Sequence, residues 1–311
     1  MSGPRRAPRA NHAHRALEAI ERFTLRPASA APLAALRIGL AVVLLVQAVK
    51  VTPALLQLYG DRGLLHGPLR EALAGAVVPR TGWLAGVLTL AGLRAREAPV
   101  IAATGGIYVV SLLALLAGLR ARAAATVAWL THLMLMTTAQ GTVYGADVFA
   151  NIFLFYLMWA PSGAALSLDL RRGRAPAAPT PAARLSLRVV QMHLCGIYLA
   201  SGVQKACGEG WWNGEAIWRT LMMPESRKYD LSFLAAHPWI AAVAGWSVLL
   251  VEIGYPIFMW SRRTRRLWVL VTAAMHLVIA MRMGLGVFGA IMIVLTVAAF
   301  GITAAPAKRG R

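Results

Sequence analysis

Apolar runs of about 20 residues, parted by short polar or basic breaks, recur along most of this chain. A run of that length matches a helix crossing the hydrocarbon core of a bilayer. Eight are predicted, at about 32–51, 99–119, 123–140, 147–166, 185–206, 240–260, 267–283 and 286–304. Arg120 and Arg122 leave almost no loop between the second and third, which makes these two a helical hairpin. The run Trp83 to Leu93 is apolar over only about eleven residues, too short to cross. It is read as an interfacial or re-entrant piece of an outer loop from Thr52 to Glu97; a crossing there would invert every later helix. The expected fold is all-α, a polytopic membrane helical bundle of about eight helices. A basic segment (1–30) precedes the membrane domain (31–304), and a basic tail (305–311) follows it.

Composition agrees, with 58% hydrophobic and 14% charged residues, against about 25% charged in ordinary soluble domains. The formal charge of +20 would suggest a nucleic-acid partner in a soluble protein, so its placement decides its meaning. The segments assigned inside hold 20 Lys and Arg against 3 Asp and Glu, and those assigned outside hold 11 against 8. That is the positive-inside bias, with both termini cytoplasmic, and it leaves the bilayer as the partner and no nucleic acid to invoke. HRALEAIERF, after Arg5, Arg6 and Arg9, reads as an amphipathic turn or two at the membrane surface. Arg37 lies inside the first long run, where it is expected to snorkel or pair with a neighbouring helix, and the run reads as a retained anchor. Cys195 and Cys207 are too far apart on one helix for a disulfide. Ala, Arg and Gly richness suggests a high-GC bacterium, and for an integral membrane protein the expected location is then the bacterial plasma membrane.

The candidate chemistry is concentrated in QMHLCGIYLASGVQKACGEGWWNGEAIW, Gln191 to Trp218. At about 100° per residue, Gln191, Tyr198, Ser201 and Lys205 fall within roughly 80° of one another, giving the helix a polar face, with Gln204 beside the lysine. Lys205 is either a snorkelling anchor or a base, since desolvation favours the neutral amine. Trp211, Trp212 and Trp218 follow it as an aromatic lid over the outer mouth of the bundle.

Counting about 1.5 Å per residue from each inner end puts His132, His193, Glu252 and His276 at one depth, roughly 12 to 15 Å in. Such a cluster could be a proton relay, a metal site or a polar knot between helices. No two of the four share a helix at ligand spacing, so no metal is assigned. The same count leaves Lys205 roughly 15 Å above Glu252, out of reach of a direct ion pair.

The run GIYLASGVQKACGEGWWNGEAIW resembles the segment of the vitamin K-dependent gamma-glutamyl carboxylase family that carries its active-site lysine, and the bacterial HTTM-domain membrane proteins related to it. VYGADVFANIFLFYLMWAPSGAALSLD resembles that family's Tyr-Gly segment ending in Ser-x-Asp, and VLLVEIGYPIFM followed by MHLVIAMRMGLGVFG resembles its next two membrane segments. The resemblance implies that Lys205 is the base that deprotonates reduced vitamin K, or a menaquinol-type quinol, and that Glu252 and His276 are polar positions of the membrane domain. Gln204 stands where the family has the first lysine of a pair, and Gln140 where it has a histidine. No counterpart of the lumenal substrate-binding domain follows, so quinol oxidation is the half of the chemistry expected here.

Two functions follow. One is a carboxylase-like enzyme of the carbon–carbon lyase class, acting on a quinol and a small or peptide substrate. The other is a non-catalytic HTTM membrane protein for the maturation, export or immunity of a secreted bacterial peptide. A transporter is a third reading, weakened because no internal repeat is detectable.

Overall fold

A computed structural model describes residues 12–60, 63, 79–223 and 230–302. Arg5, Arg6 and Arg9, most of 61–78, and the tail from 303 lie outside the described residues, as does the side chain of Gln140. Among the described residues the regular structure is all helical, joined by turns and loops, apart from one bridge between Ala28 and Thr180. The principal helices are α1 (His12–Leu25), α2 (Ala31–Tyr59), α3 (Thr81–Leu90), α4 (Glu97–Ala117), α5 (Ala121–Thr138) and α6 (Gly145–Trp159). They continue with α7 (Pro181–Ala206), α8 (Glu209–Trp212), α9 (Glu215–Leu221), α10 (Pro238–Phe258), α11 (Arg265–Arg282) and α12 (Gly286–Thr296). The last runs on into a π-helical turn, Val297–Gly301.

Each predicted run contains one helix. Three of them, α2, α4 and α10, are long and apolar enough to cross a membrane. Helices α5, α7 and α11 have the length but carry more polar residues, while α6 and α12 are apolar and shorter. Helix α3 spans 10 residues, about 15 Å, roughly half of a bilayer core. The chain is a membrane protein built as an all-α bundle.

Helices α4 and α5, α7 and α10, and α11 and α12 pack as neighbours, and α2 lies against both α4 and α12. Leu40, Leu44, Leu112, Phe153, Leu194 and Leu295 are fully buried where these groups meet. Side-chain caps set the start of two helices: Thr180 Oγ1 accepts the Ala183 N–H at 3.1 Å before α7, and Asp147 Oδ2 accepts the Tyr144 N–H at 3.2 Å before α6.

Arg37 is fully buried on α2. Its guanidinium donates to the carbonyls of Leu115 and Leu116 at the end of α4, to Leu166 at 2.7 Å and to Ser162 at 3.3 Å. The last carbonyls of a helix lack intrahelical partners and lie at the negative end of its dipole, so a buried guanidinium satisfies both needs. Of the two expectations for Arg37, the helix pairing is the one realised. Asp169 performs the opposite task at the start of α5, accepting the N–H groups of Arg120 and Ala121 at 2.8 and 2.9 Å. Gly118, at φ 66°, turns the chain between them, and a Cβ there would run into Ser167 and Arg37. The Ser-x-Asp motif, Ser167 and Asp169, is thus a capping device that locks the α4–α5 hairpin.

Helix α1 docks on the N-terminal end of α7. Arg188 places its guanidinium over the rings of Phe23 and Trp260, 4.1 and 4.9 Å from their centroids, and donates to the Phe23 carbonyl at 3.1 Å. Leu17 and Ile20 of α1 stay exposed, as expected of a helix lying on a membrane surface.

Candidate active site around Lys205 and Glu252

Gly202 sets the approach of α7 to α10. A Cβ at this position would lie 2.8 Å from Ile253 and 3.0 Å from Glu252, so only a glycine lets the two helices close here. One turn below, the rings of Tyr198 and Tyr255 stack at 4.0 Å. Pro256 on α10 has no N–H for the Glu252 carbonyl one turn back, which loosens that helix next to the site.

Above Gly202, Lys205 Nζ lies 2.6 and 2.7 Å from the two carboxylate oxygens of Glu252 and 2.7 Å from Ser201 Oγ. The three ammonium protons therefore have three acceptors. The lysine side chain is 24% exposed and the glutamate 8%. Trp211 places its ring 5.3 Å from Nζ, close enough for a cation–π contact.

This ion pair corrects the depth count. Pairing of Tyr198 with Tyr255, and of Gly202 with Glu252, brings the C-terminal end of α10 level with about Cys195. Helix α7 continues from there toward Pro181 for several turns, against α1. Counting Lys205 from Leu185 overstated its height by about ten residues, roughly 15 Å, which is the whole of the expected gap.

The four groups placed at one depth do not form one cluster. Glu252 belongs to Lys205, and each histidine has its own tyrosine. His132 meets the Tyr108 hydroxyl at 3.0 Å, His193 meets that of Tyr156 at 2.5 Å, and His276 meets that of Tyr198 at 2.7 Å. Among the described residues no three His, Cys, Asp or Glu side chains come together as a metal site requires. The offset of α7 takes His193 out of the layer altogether, and for the others equal depth brings side chains together only if their helix faces also converge, which a count along single helices does not contain. His276 is hydrogen-bonded to Tyr198, one turn from the ion pair on α7 but not bonded to it, and its Nδ1 is buried without a hydrogen-bond partner. Tyr108 and Tyr156, the pairing of Tyr198 with His276, and Thr296, 3.4 Å from the Tyr255 hydroxyl, were missed from sequence. The signal available was the presence of tyrosines among the apolar residues of the predicted spans.

The polar face of α7 holds in part. Gln191 is buried but far from Lys205, donating to the Ala299 carbonyl of the π-helical turn at 2.6 Å and accepting from Arg188 at 2.8 Å. Gln204 is exposed, since one residue turns the helix by about 100° away from Lys205. Of the aromatic lid, Trp211 alone is seen against the lysine. Trp212 donates its indole N–H to the Ala206 carbonyl at 2.8 Å, closing the end of α7, and Trp246 of α10 donates to the Trp212 carbonyl at 2.8 Å. Trp218 is half-buried on α9.

The family model of the HTTM domain matches residues 87–302, which include every helix from α4 to α12 and the Lys205–Glu252 pair. The chain belongs to the HTTM domain family. This is the domain found in the membrane region of vitamin K-dependent carboxylases. No curated protein and no solved structure matches the chain. Within this HTTM chain, the lysine singled out by the resemblance and the acid of the following membrane segment are joined by hydrogen bonds.

Proposed function

We propose that this HTTM protein is a carboxylase-like acid–base enzyme of a bacterial plasma membrane, working on a lipid-soluble quinol at the Lys205–Glu252 pair. It is embedded by eight membrane-crossing helices with the arginine clusters and both termini on the cytoplasmic side. The observation that carries the proposal is the pair itself: an ammonium and a carboxylate at 2.6 and 2.7 Å, on the outer part of α7, beneath the face of Trp211.

The residues suit a reduced quinone of the vitamin K or menaquinol type. Trp211 offers a flat aromatic face beside a quarter-exposed lysine, and His276, hydrogen-bonded to Tyr198 one turn away, has an unsatisfied buried nitrogen. A bound quinol supplies a phenolic proton and two electrons. An ammonium with three hydrogen bonds is no base, so Lys205 must first be relieved of a proton. Glu252 is placed to take it along the 2.6 Å contact. Lys205 then accepts the phenolic proton through its Nζ, and the ammonium so formed faces the oxygen that gave it up. Ser201 holds Nζ in line throughout. The acceptor of carbon dioxide would be a small or peptide substrate reaching the pair from outside.

The non-catalytic alternative, service to a secreted peptide, is favoured by one observation: all three Lys205 protons are already engaged inside the protein, as in a clamp between helices. Purification with native lipid and assay of quinol oxidation and epoxide formation, with oxygen and bicarbonate present, separates the two. The enzyme reading expects turnover in wild type and its loss in both Lys205→Ala and Glu252→Gln. Turnover undiminished in folded Lys205→Ala sinks it.

A further inference from the structure

Away from the ion pair, helices α2, α4, α5 and α6 enclose a cavity of about 700 Å³, within the size range of small-molecule sites. Most of its lining is apolar, and its polar lining includes four residues joined in one hydrogen-bonded chain: Gln47, Asp147, His132 and Tyr108. His132 Nε2 lies 3.0 Å from the backbone oxygen of Asp147, which can only accept, so in the neutral ring that nitrogen carries the proton. Nδ1 is then the acceptor, and the Tyr108 hydroxyl donates to it at 3.0 Å. Gln47 Nε2 donates to Asp147 Oδ1 at 2.7 Å.

Donors are thus largely spent within the chain, and acceptors remain. Among these four residues the amide oxygen of Gln47 and the lone pairs of the Tyr108 oxygen are available, with the second amide proton of Gln47 the one donor left. The charge of Asp147 is met by Gln47, by the Tyr144 N–H and by the N-terminus of α6, so a cation is not called for. The walls also include Val51 and Val110, 43% and 67% exposed, so the cavity opens on the apolar flank of the bundle, where hydrocarbon lies.

We propose that this cavity is a binding chamber for a long-chain alcohol: an amphiphile entering from the bilayer, its chain among the apolar walls and its hydroxyl donating to Gln47 or Tyr108. The chamber is independent of the Lys205–Glu252 chemistry and stands whether or not that pair is catalytic.

Native mass spectrometry of the full chain, stripped of lipid in detergent, tests the proposal with dodecan-1-ol, dodecyl methyl ether and dodecylamine. Wild type is expected to retain one alcohol and to hold the ether about tenfold less tightly, the effect of one good hydrogen bond. Gln47→Leu should lower alcohol affinity by about five- to tenfold and narrow the difference between alcohol and ether. A Cβ at Gly105, in the cavity wall, meets no atom within 4 Å. Gly105→Leu should therefore place a side chain in the chamber without disturbing the packing, and weaken binding of both. Equal retention of alcohol and ether by wild type, or tighter binding of the amine, overturns the assignment of the head group. Undiminished binding to Gly105→Leu overturns the chamber.

Discussion

At the scale of single residues, Lys205 and Glu252 must be read together, because each is what makes the other tolerable inside the bundle. Removing one partner of a buried ion pair leaves an uncompensated charge, at a cost of about 3 to 5 kcal/mol, whereas replacing both with apolar side chains is often close to neutral. With a quarter of the lysine exposed, the lower end of that range is expected, about 3 kcal/mol for Lys205→Met. Glu252→Leu strands an ammonium that can still reach water and should cost less. The double variant Lys205→Met with Glu252→Leu should recover most of the lost stability while remaining inactive toward a quinol. Thermal unfolding of the solubilised protein, run beside the oxidation assay, checks this. If the double variant is no more stable than Lys205→Met, the pairing energy inferred from the geometry is wrong.

The element that sets up this chemistry is the crossing of α7 with α10, and a single missing Cβ decides how close it is. Gly202→Ala pushes a methyl group to within 3.0 Å of Glu252 and closer still to Ile253. Overpacking of this kind costs about 1 to 3 kcal/mol, and here it also moves Glu252 away from Lys205. Gly196, on the same helix, has nothing within 4 Å of its would-be Cβ, so Gly196→Ala should gain up to about 1 kcal/mol from helix propensity alone. The contrast in melting temperature between two chemically identical substitutions tests whether the close approach is real. It also marks the limit of what the sequence discloses. The apolar period located every long helix, and the lysine and its tryptophan neighbour were legible because an amine and a tryptophan-rich turn stand out against alanine and leucine. The offset by which α7 overshoots α10 leaves no periodic trace, and without it Glu252 was assigned to histidines it does not meet. Tyr108 and Tyr156 escaped because aromatic residues scattered along apolar helices look like core until their hydroxyls are placed, whereas Tyr198 was picked out by the polar face it shares with Lys205.

For the molecule as a whole, the distribution of charge makes a claim about orientation that the two cysteines can test. Arginines crowd the segments joining α4 to α5, α6 to α7 and α10 to α11, and such clusters resist translocation, so these ends are expected to face the cytoplasm. The end of α7 bearing Cys207 then faces outward. Cys207 is exposed and Cys195 is buried, so a membrane-impermeant maleimide applied to intact cells should label the protein once, and Cys207→Ser should abolish that label although Cys195 remains. In that background, Ala178→Cys introduces a thiol on the exposed loop before α7, which should react only after the membrane is permeabilised. The opposite pattern, with position 178 labelled in intact cells and Cys207 protected, would mean that an additional crossing precedes α4. Helix α3 is the nearest candidate for it, although at about 15 Å it would need help from the residues around it to span the core. That result would turn the Lys205–Glu252 pair to face the cytoplasm and require its second substrate to come from inside the cell.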